Sequence, residues 1–373
     1  MDGRCFFDKV DFGRGVINIG GKEYELRDKS FPTVDVSDPL KLSREESELV
    51  RILQSSFRHS GRLRQHIKFI YDHGGMYRKI NGNLLYHGCI PLNDDGSFRE
   101  ITLPFADCAG KTFHGKALLD RIEQEVRSAY FSPNGTNEQK EAADFMWYLW
   151  CGADSPLYGK DKMAFFERTF LGKEASELCT EHYEPYYSHT NDASVCEMIL
   201  EEFGLDKRRG HIVNGHVPVL RCDGESPIKA GGKLFVIDGG ISKAYRVKTG
   251  IAGYTLIYDS HSLRLAEHKP YDGEGADITP KVSIVEKMER RVNIADIDYG
   301  KIRRRAYGKD KRPAQSHRSV QERQNQDKRI KKIPDRNYDD YVTFVREYFF
   351  RNYFFRATAA FAFSAIATAS RWK

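Results

Sequence analysis

No stretch of this 373-residue chain stays apolar for the roughly 20 residues that a membrane-spanning helix needs. The N-terminus, Met1-Asp2-Gly3-Arg4-Cys5-Phe6-Phe7, lacks the basic start and apolar run of a secretory signal. A cytoplasmic location is therefore expected. The seven cysteines, Cys5, Cys89, Cys108, Cys151, Cys179, Cys196 and Cys222, form no Cys-x-x-Cys pair and are scattered. An odd, scattered set of this kind argues for reduced thiols, against a zinc ribbon and against a disulfide framework. A strong charge of one sign is lacking as well, since the net of +6 is unevenly placed. Residues 301–333 hold 13 Lys or Arg against 3 Asp or Glu, whereas the first 300 hold 40 against 46. The body is mildly acidic, so it offers no basic face for nucleic acid.

Within those limits the composition, 40% hydrophobic and 30% charged, is that of a soluble globular protein long enough for one large or two ordinary domains. Val16 to Ile19, a Gly20-Gly21 turn and Lys22 to Leu26 read as a hairpin. Leu49, Ile52, Leu53 and Phe57 fall on one helical face, and Ser43 with Glu46 three residues on forms a capping box at its start. A second helix is expected over residues 62–72. Asn81-Gly82 between Met76 to Ile80 and Asn83 to His87 is the strongest hairpin signal in the chain. Helices follow over 115–130, 137–151 and 194–204, then a short strand before His216. Beyond it the pattern turns to strands at 233–238, 253–258 and 263–268. Helix and strand mixed in this order predict an α/β (α+β) fold whose strand ends carry function.

Two of those strand ends stand out: Leu84-Leu85-Tyr86-His87-Gly88 and His211-Ile212-Val213-Asn214-Gly215-His216. A buried strand that stops at a Gly-flanked His places an imidazole at the rim of a sheet, where metallohydrolases keep their metals. A single such His is more often structural; two, each followed closely by Pro (Pro91 and Pro218), strengthen the metal reading. Asp238, before Gly239-Gly240, suits either a catalytic carboxylate or a turn, and its chemistry alone favours the turn. Asp259-x-His261 has a metal-binding spacing but lies between two strand-like runs, which makes it a hairpin loop.

Several long strings occur together and in order: Gly82 to Pro91 (GNLLYHGCIP), Trp150-Cys151-Gly152, Ser155-Pro156-Leu157-Tyr158-Gly159-Lys160, Asn214-Gly215-His216-Val217-Pro218-Val219, and Val236 to Tyr245 (VIDGGISKAY). Over about residues 15–300 the chain resembles the class 3 fructose-1,6-bisphosphatases of Firmicutes and related bacteria. The resemblance implies a calcineurin-like metallophosphoesterase fold, two packed sheets flanked by helices. It implies hydrolysis of the 1-phosphate of fructose 1,6-bisphosphate in gluconeogenesis, usually with manganese. It carries His87 and His216 over as metal ligands of a two-metal centre and places Asp238 to Tyr245 beside the active site, with Asp238 and Tyr245 as candidate substrate contacts. Lys160 and Lys243 are candidate phosphate contacts on charge alone. Neutral imidazole suits manganese, iron or zinc, and paired ions can activate a hydroxide and clamp phosphate oxygens.

The same fold also uses an Asp-x-His, a Gly-Asp-x-x-Asp and a Gly-Asn-His. The last two do not occur here, and the Asp259-x-His261 match lies downstream of the required place. In the family these motifs come first, so the chain is expected to be the C-terminal portion of such an enzyme, with little or no phosphatase activity alone. It would then self-associate or pair with a separate N-terminal half. Two other readings stay open: a non-catalytic binding or regulatory remnant, and a protein serine/threonine phosphatase of the same fold. Residues 1–14 are expected to be irregular and 301–333 a basic linker or disordered arm. Residues 334–373 hold an amphipathic helical pattern and a 13-residue Ala/Phe-rich run that is too short to span a bilayer, where about 20 residues are needed. Non-native sequence would account for this tail equally well.

Overall fold

The computed structural model describes residues 6–240, 243–250, 253–269 and 279–310. The expected tail over 334–373 and most of the basic arm lie outside the described residues. In chain order the elements are β1 (Val10–Asp11), β2 (Val16–Ile19), β3 (Lys22–Glu25), α1 (Arg44–His59), α2 (Gly61–His73), β4 (Tyr77–Ile80) and β5 (Asn83–Tyr86). Next come β6 (Ile101–Thr102), β7 (Thr112–Phe113), α3 (Gly115–Phe131), α4 (Asn137–Cys151), α5 (Phe165–Phe170), α6 (Ser176–Cys179) and α7 (Ala193–Glu202). The rest are β8 (Ile212–Asn214), β9 (Ile228–Lys229), β10 (Leu234–Val236), α8 (Lys243–Thr249), β11 (Gly253–Tyr258), β12 (Ser262–His268), β13 (Lys281–Lys287) and α9 (Asp298–Asp310). The mixture of helix and sheet is the one the sequence predicts. The β13 strand was not anticipated, and the basic stretch begins as the helix α9.

The chain gathers into two compact units, one built from the residues up to Tyr77 and from His87–Thr190, the other from Arg78–Tyr86 and from Asn191 onward. In the first unit β1, β2 and β3 form an antiparallel sheet whose Ile17 is fully buried with Leu26, Leu171 and Ala175. Phe6 belongs to the same core, stacked on Phe166, and Phe31, Phe166 and Phe170 pack against it with tilted rings. The helices α3 and α4 pack through Leu118, Leu119 and Ile122 of α3 and Phe145 and Leu149 of α4, all buried. Ser43 caps α1 as expected: its hydroxyl accepts from the Glu46 N–H, and Glu46 accepts from the Ser43 N–H. Such a cap is worth about 1 kcal/mol.

The second unit is built on a five-stranded mixed sheet of order β4-β5-β8-β10-β9. β5 and β10 both run parallel to β8, with Leu84 and Leu234 opposite Ile212 and with Leu85 and Phe235 opposite Val213. All three residues of β8 and of β10 are buried, as strands covered on both faces must be. The hairpin β4–β5 turns at Asn81-Gly82 with φ of 52° and 84°, the left-handed pair that a two-residue turn demands and that Asn-Gly supplies. A reciprocal pair of bonds ties this turn to the start of α9. The Asn81 N–H donates to Asp298 Oδ2 at 2.7 Å and the Asp298 N–H to Asn81 Oδ1 at 3.0 Å. A second, antiparallel sheet of order β11-β12-β13 joins the first where the Tyr254 N–H donates to the Ile237 carbonyl.

Candidate functional site

Parallel strands in adjacent positions release their chains at the same edge of a sheet, and ligands of open α/β sheets bind off that carboxyl edge. In the second unit β8 and β10 deliver Gly215-His216 and Ile237-Asp238 there. His216 has φ of +72°, and the Val217 N–H donates to the Gly215 carbonyl at 2.9 Å. A bond from i+2 to i around a residue of positive φ is the rarer and more strained γ-turn. A non-glycine residue held in this way marks a place where the surrounding structure overrides a local cost of about 1–3 kcal/mol, and such places cluster at functional sites. The other His of the same run does structural work. His211 Nδ1 donates to the Gly232 carbonyl at 2.9 Å, and its Nε2 lies 2.8 Å from the Glu286 carboxylate on β13.

Asp238 forms the turn that its chemistry favours. Its Oδ1 accepts from the Gly240 N–H at 2.8 Å, and its carbonyl accepts from the Val219 N–H. Gly240, at φ +65°, lies so close to Tyr245 that a Cβ would sit 2.7 Å from that residue's Cβ. Tyr245 itself is about half exposed on α8. Lys243 is the first residue of α8, and its side chain lies outside the described atoms. Asp259 likewise builds a hairpin loop, accepting from the His261 and Ser262 N–H groups. Burial alone would raise its pKa; these bonds and Arg264 bring it below the usual range.

In the first unit His87, half-buried, follows β5 directly and opens the segment His87 to Leu92, whose last five residues are buried. The Ser155-to-Lys160 string is the shelf for that segment. The buried Ser155 hydroxyl donates to the Leu149 carbonyl at the end of α4 and accepts from Leu157 and Tyr158 N–H. This presents the Pro156 carbonyl to the Cys89 N–H at 2.9 Å. Gly88 is pressed against that carbonyl, and any Cβ at position 88 would collide with it. On the far side Glu184 accepts from the Leu92 N–H at 2.8 Å and from the Tyr186 N–H at 2.7 Å, with the Arg99 guanidinium 3.9 Å away. Burial raises the Glu184 pKa, and those bonds and Arg99 offset it only in part. Burial also pushes the Cys89 thiol well above its usual range, which removes it as a nucleophile. Glu184 was not singled out from the sequence, because the partner that gives it its role, Leu92, lies 92 positions away and no local spacing announces it.

Lys160 is held at 2.8 Å by Glu181 and lies over the Tyr183 ring, so its charge already has a counter-ion. Among the described residues no group of three or more His, Cys, Asp or Glu is assembled that could hold a metal ion. The donor set present therefore does not fit a complete metal centre.

The structure offers a mixed helix-and-sheet scaffold with a histidine directly after β5 and another after β8, and comparison with known proteins gives the family. The Firmicute fructose-1,6-bisphosphatase family matches residues 1–307, and the chain belongs to that family. It is similar to the class 3 fructose-1,6-bisphosphatase of Bacteroides fragilis, 48% identical over 307 residues that make up 81% of this chain and 45% of that protein. Proteins of the same name from Bacteroides thetaiotaomicron and Clostridium acetobutylicum are each 47% identical over 307 residues, with the same coverage. The chain thus spans about half the length of the curated relatives it matches. No solved structure matches it. Among the described residues no helix is long and apolar enough to cross a membrane.

Proposed function

We propose that this chain serves a fructose-1,6-bisphosphatase, a phosphoric monoester hydrolase that removes the 1-phosphate of fructose 1,6-bisphosphate in gluconeogenesis, in the cytoplasm. The observation that carries this reading is the strained His216 turn at the carboxyl end of a buried parallel strand, within a stretch belonging to the bisphosphatase family. His87 and His216 are its metal ligands, and manganese is the metal. Asp238, Lys243 and Tyr245 lie on the substrate side. Lys160 is the weakest of the proposed phosphate contacts, because Glu181 already neutralises it. Two imidazoles without a bridging carboxylate do not hold paired ions, so no catalytic step is assigned to this chain alone. Activity of this kind needs carboxylate and Asn-His motifs, supplied by another chain or by a longer product of the same gene.

The purified chain, given fructose 1,6-bisphosphate and manganese, is expected to release phosphate at background rate and to bind manganese below one equivalent. Phosphate release that His216→Ala abolishes would overturn the dependence on motifs outside this chain. If a polypeptide bearing those motifs is added and neither activity nor manganese binding appears, the bisphosphatase reading itself fails and the binding-remnant reading takes its place.

A further inference from the structure

We propose that Asn134 is the site at which this chain deamidates spontaneously, and that the tie to Asp298 shields Asn81 from the same reaction. The proposal goes beyond the catalytic reading and does not depend on it. The chain carries Asn-Gly three times, at Asn81-Gly82, Asn134-Gly135 and Asn214-Gly215. Glycine has no Cβ to keep its own peptide nitrogen away from the preceding side-chain amide. That nitrogen attacks the Asn Cγ, so that an N–Cγ bond forms and the Cγ–Nδ2 bond breaks, and ammonia leaves with the proton that the glycine N–H gives up. Water then opens the resulting succinimide at either carbonyl, leaving aspartate or, with the main chain rerouted through the side chain, isoaspartate. Each product carries a negative charge where the asparagine had none.

Local sequence makes the three sites alike, and the fold makes them different. Attack needs the Asn side chain and the peptide after it to rotate until Cγ meets the nitrogen. Asn214 is 1% exposed in β8, between β5 and β10, and its carbonyl accepts from the Ile237 N–H at 2.9 Å, so neither can turn. Asn81 lies in a hairpin turn at φ 52°, with its Oδ1 held by the Asp298 N–H at 3.0 Å and its own N–H by Asp298 Oδ2 at 2.7 Å. Asn134 has neither restraint. Pro133 to Thr136 are all exposed, and one main-chain bond closes the turn, from the Thr136 N–H to the Pro133 carbonyl at 3.4 Å. Among the described residues none bonds to the Asn134 side chain. The turn links α3 to α4, just ahead of Thr136, whose hydroxyl caps α4 by accepting from the Gln139 N–H. Aspartate at 134 places its new charge near the positive end of α4, and isoaspartate adds a methylene to the main chain of the turn.

Peptide mapping by mass spectrometry on the full chain, held folded at mildly alkaline pH and sampled over time, is the test. We expect Asn134 to convert about tenfold faster than Asn81, since each of the two Asp298 bonds slows the reaction by roughly a factor of three, and Asn214 to stay intact. Asp298→Pro removes both the N–H and the carboxylate at the first position of α9, where proline is tolerated. It should raise the Asn81 rate about tenfold and leave Asn134 unchanged, whereas Asp298→Ala, which keeps the N–H, should raise it about threefold. In urea the three sites should convert at similar rates. An Asn134 that converts no faster than Asn81 in the folded chain overturns the assigned site, and an Asn81 rate indifferent to both Asp298 variants overturns the shield. A ranking that persists unchanged in urea assigns the difference to sequence and overturns both.

Discussion

His87 and His216 each stand beside a glycine, yet the two neighbourhoods work in opposite ways. At His87 the glycine is the tight point: Gly88 lies against the Pro156 carbonyl, and the imidazole is placed by a buried segment that Glu184 grips further on. At His216 the histidine itself takes the left-handed backbone, while Gly215 supplies the carbonyl that closes the turn. One histidine is aimed by packing, the other by strain. Similar Gly–His strings can therefore specify different physics, and substitution at each should fail differently.

The largest effect should come from the packed side. Gly88→Ala forces the Pro156 peptide to move and should cost about 3 kcal/mol in denaturant unfolding. A loss below about 0.5 kcal/mol, the range of an ordinary surface change, would break the comparison. The strained side should show a smaller effect of the same sign, glycine again favoured over alanine but through backbone strain and not through a collision. With the imidazole removed in both, His216→Gly should be more stable than His216→Ala by about 1 kcal/mol, because only glycine takes the positive φ without cost. Equal stabilities would mean that the turn is not strained.

The smallest effect separates two carboxylates of the first unit by pH. Burial raises Glu184, so its folded form holds a proton over a window above the ordinary Glu range, and stability falls as pH rises through that window. For Glu181 burial alone would do the same, but the Lys160 hydrogen bond, the Ala164 N–H and Arg168 bring it below 4.5, so its contribution is present above that value and lost as pH falls through the depressed one. Relative to Glu184→Gln the parent chain should therefore lose stability with rising pH, and relative to Glu181→Gln it should gain. Unfolding midpoints measured across the acid range decide the matter, and slopes of the same sign would contradict it.

What the sequence made legible follows from range. The capping box at Ser43, the Asn81-Gly82 hairpin and α4 over Asn137–Cys151 are settled within a few residues, and periodicity or turn chemistry places them. The role of Ser155 to Lys160 was visible only as a family string, because its work is to offer a carbonyl to Cys89 across 67 positions of chain. Asp238 gave up its function locally, through a bond to Gly240 two residues on. The apolar row of α1 shows the limit of periodicity, which finds a face and cannot say what meets it. The β13 strand was readable in part, since Val282 and Ile284 alternate with Lys281 and Ser283, but the alternation covers only four residues and the structure leaves the strand exposed at nearly every position, with no buried face to fix it.

The tie between Asn81 and Asp298 has a consequence for synthesis. The β4–β5 hairpin leaves the ribosome more than a hundred residues before β8, the strand that β5 pairs with, and the turn waits 217 positions for the carboxylate that fastens it. Contacts of such separation form late and slowly. Until β8 arrives, the apolar row of β5 presents unpaired backbone to its surroundings, the condition under which nascent chains pair wrongly. The Asn-Gly turn, which closes without distant help, is the part of this sheet that can form on time.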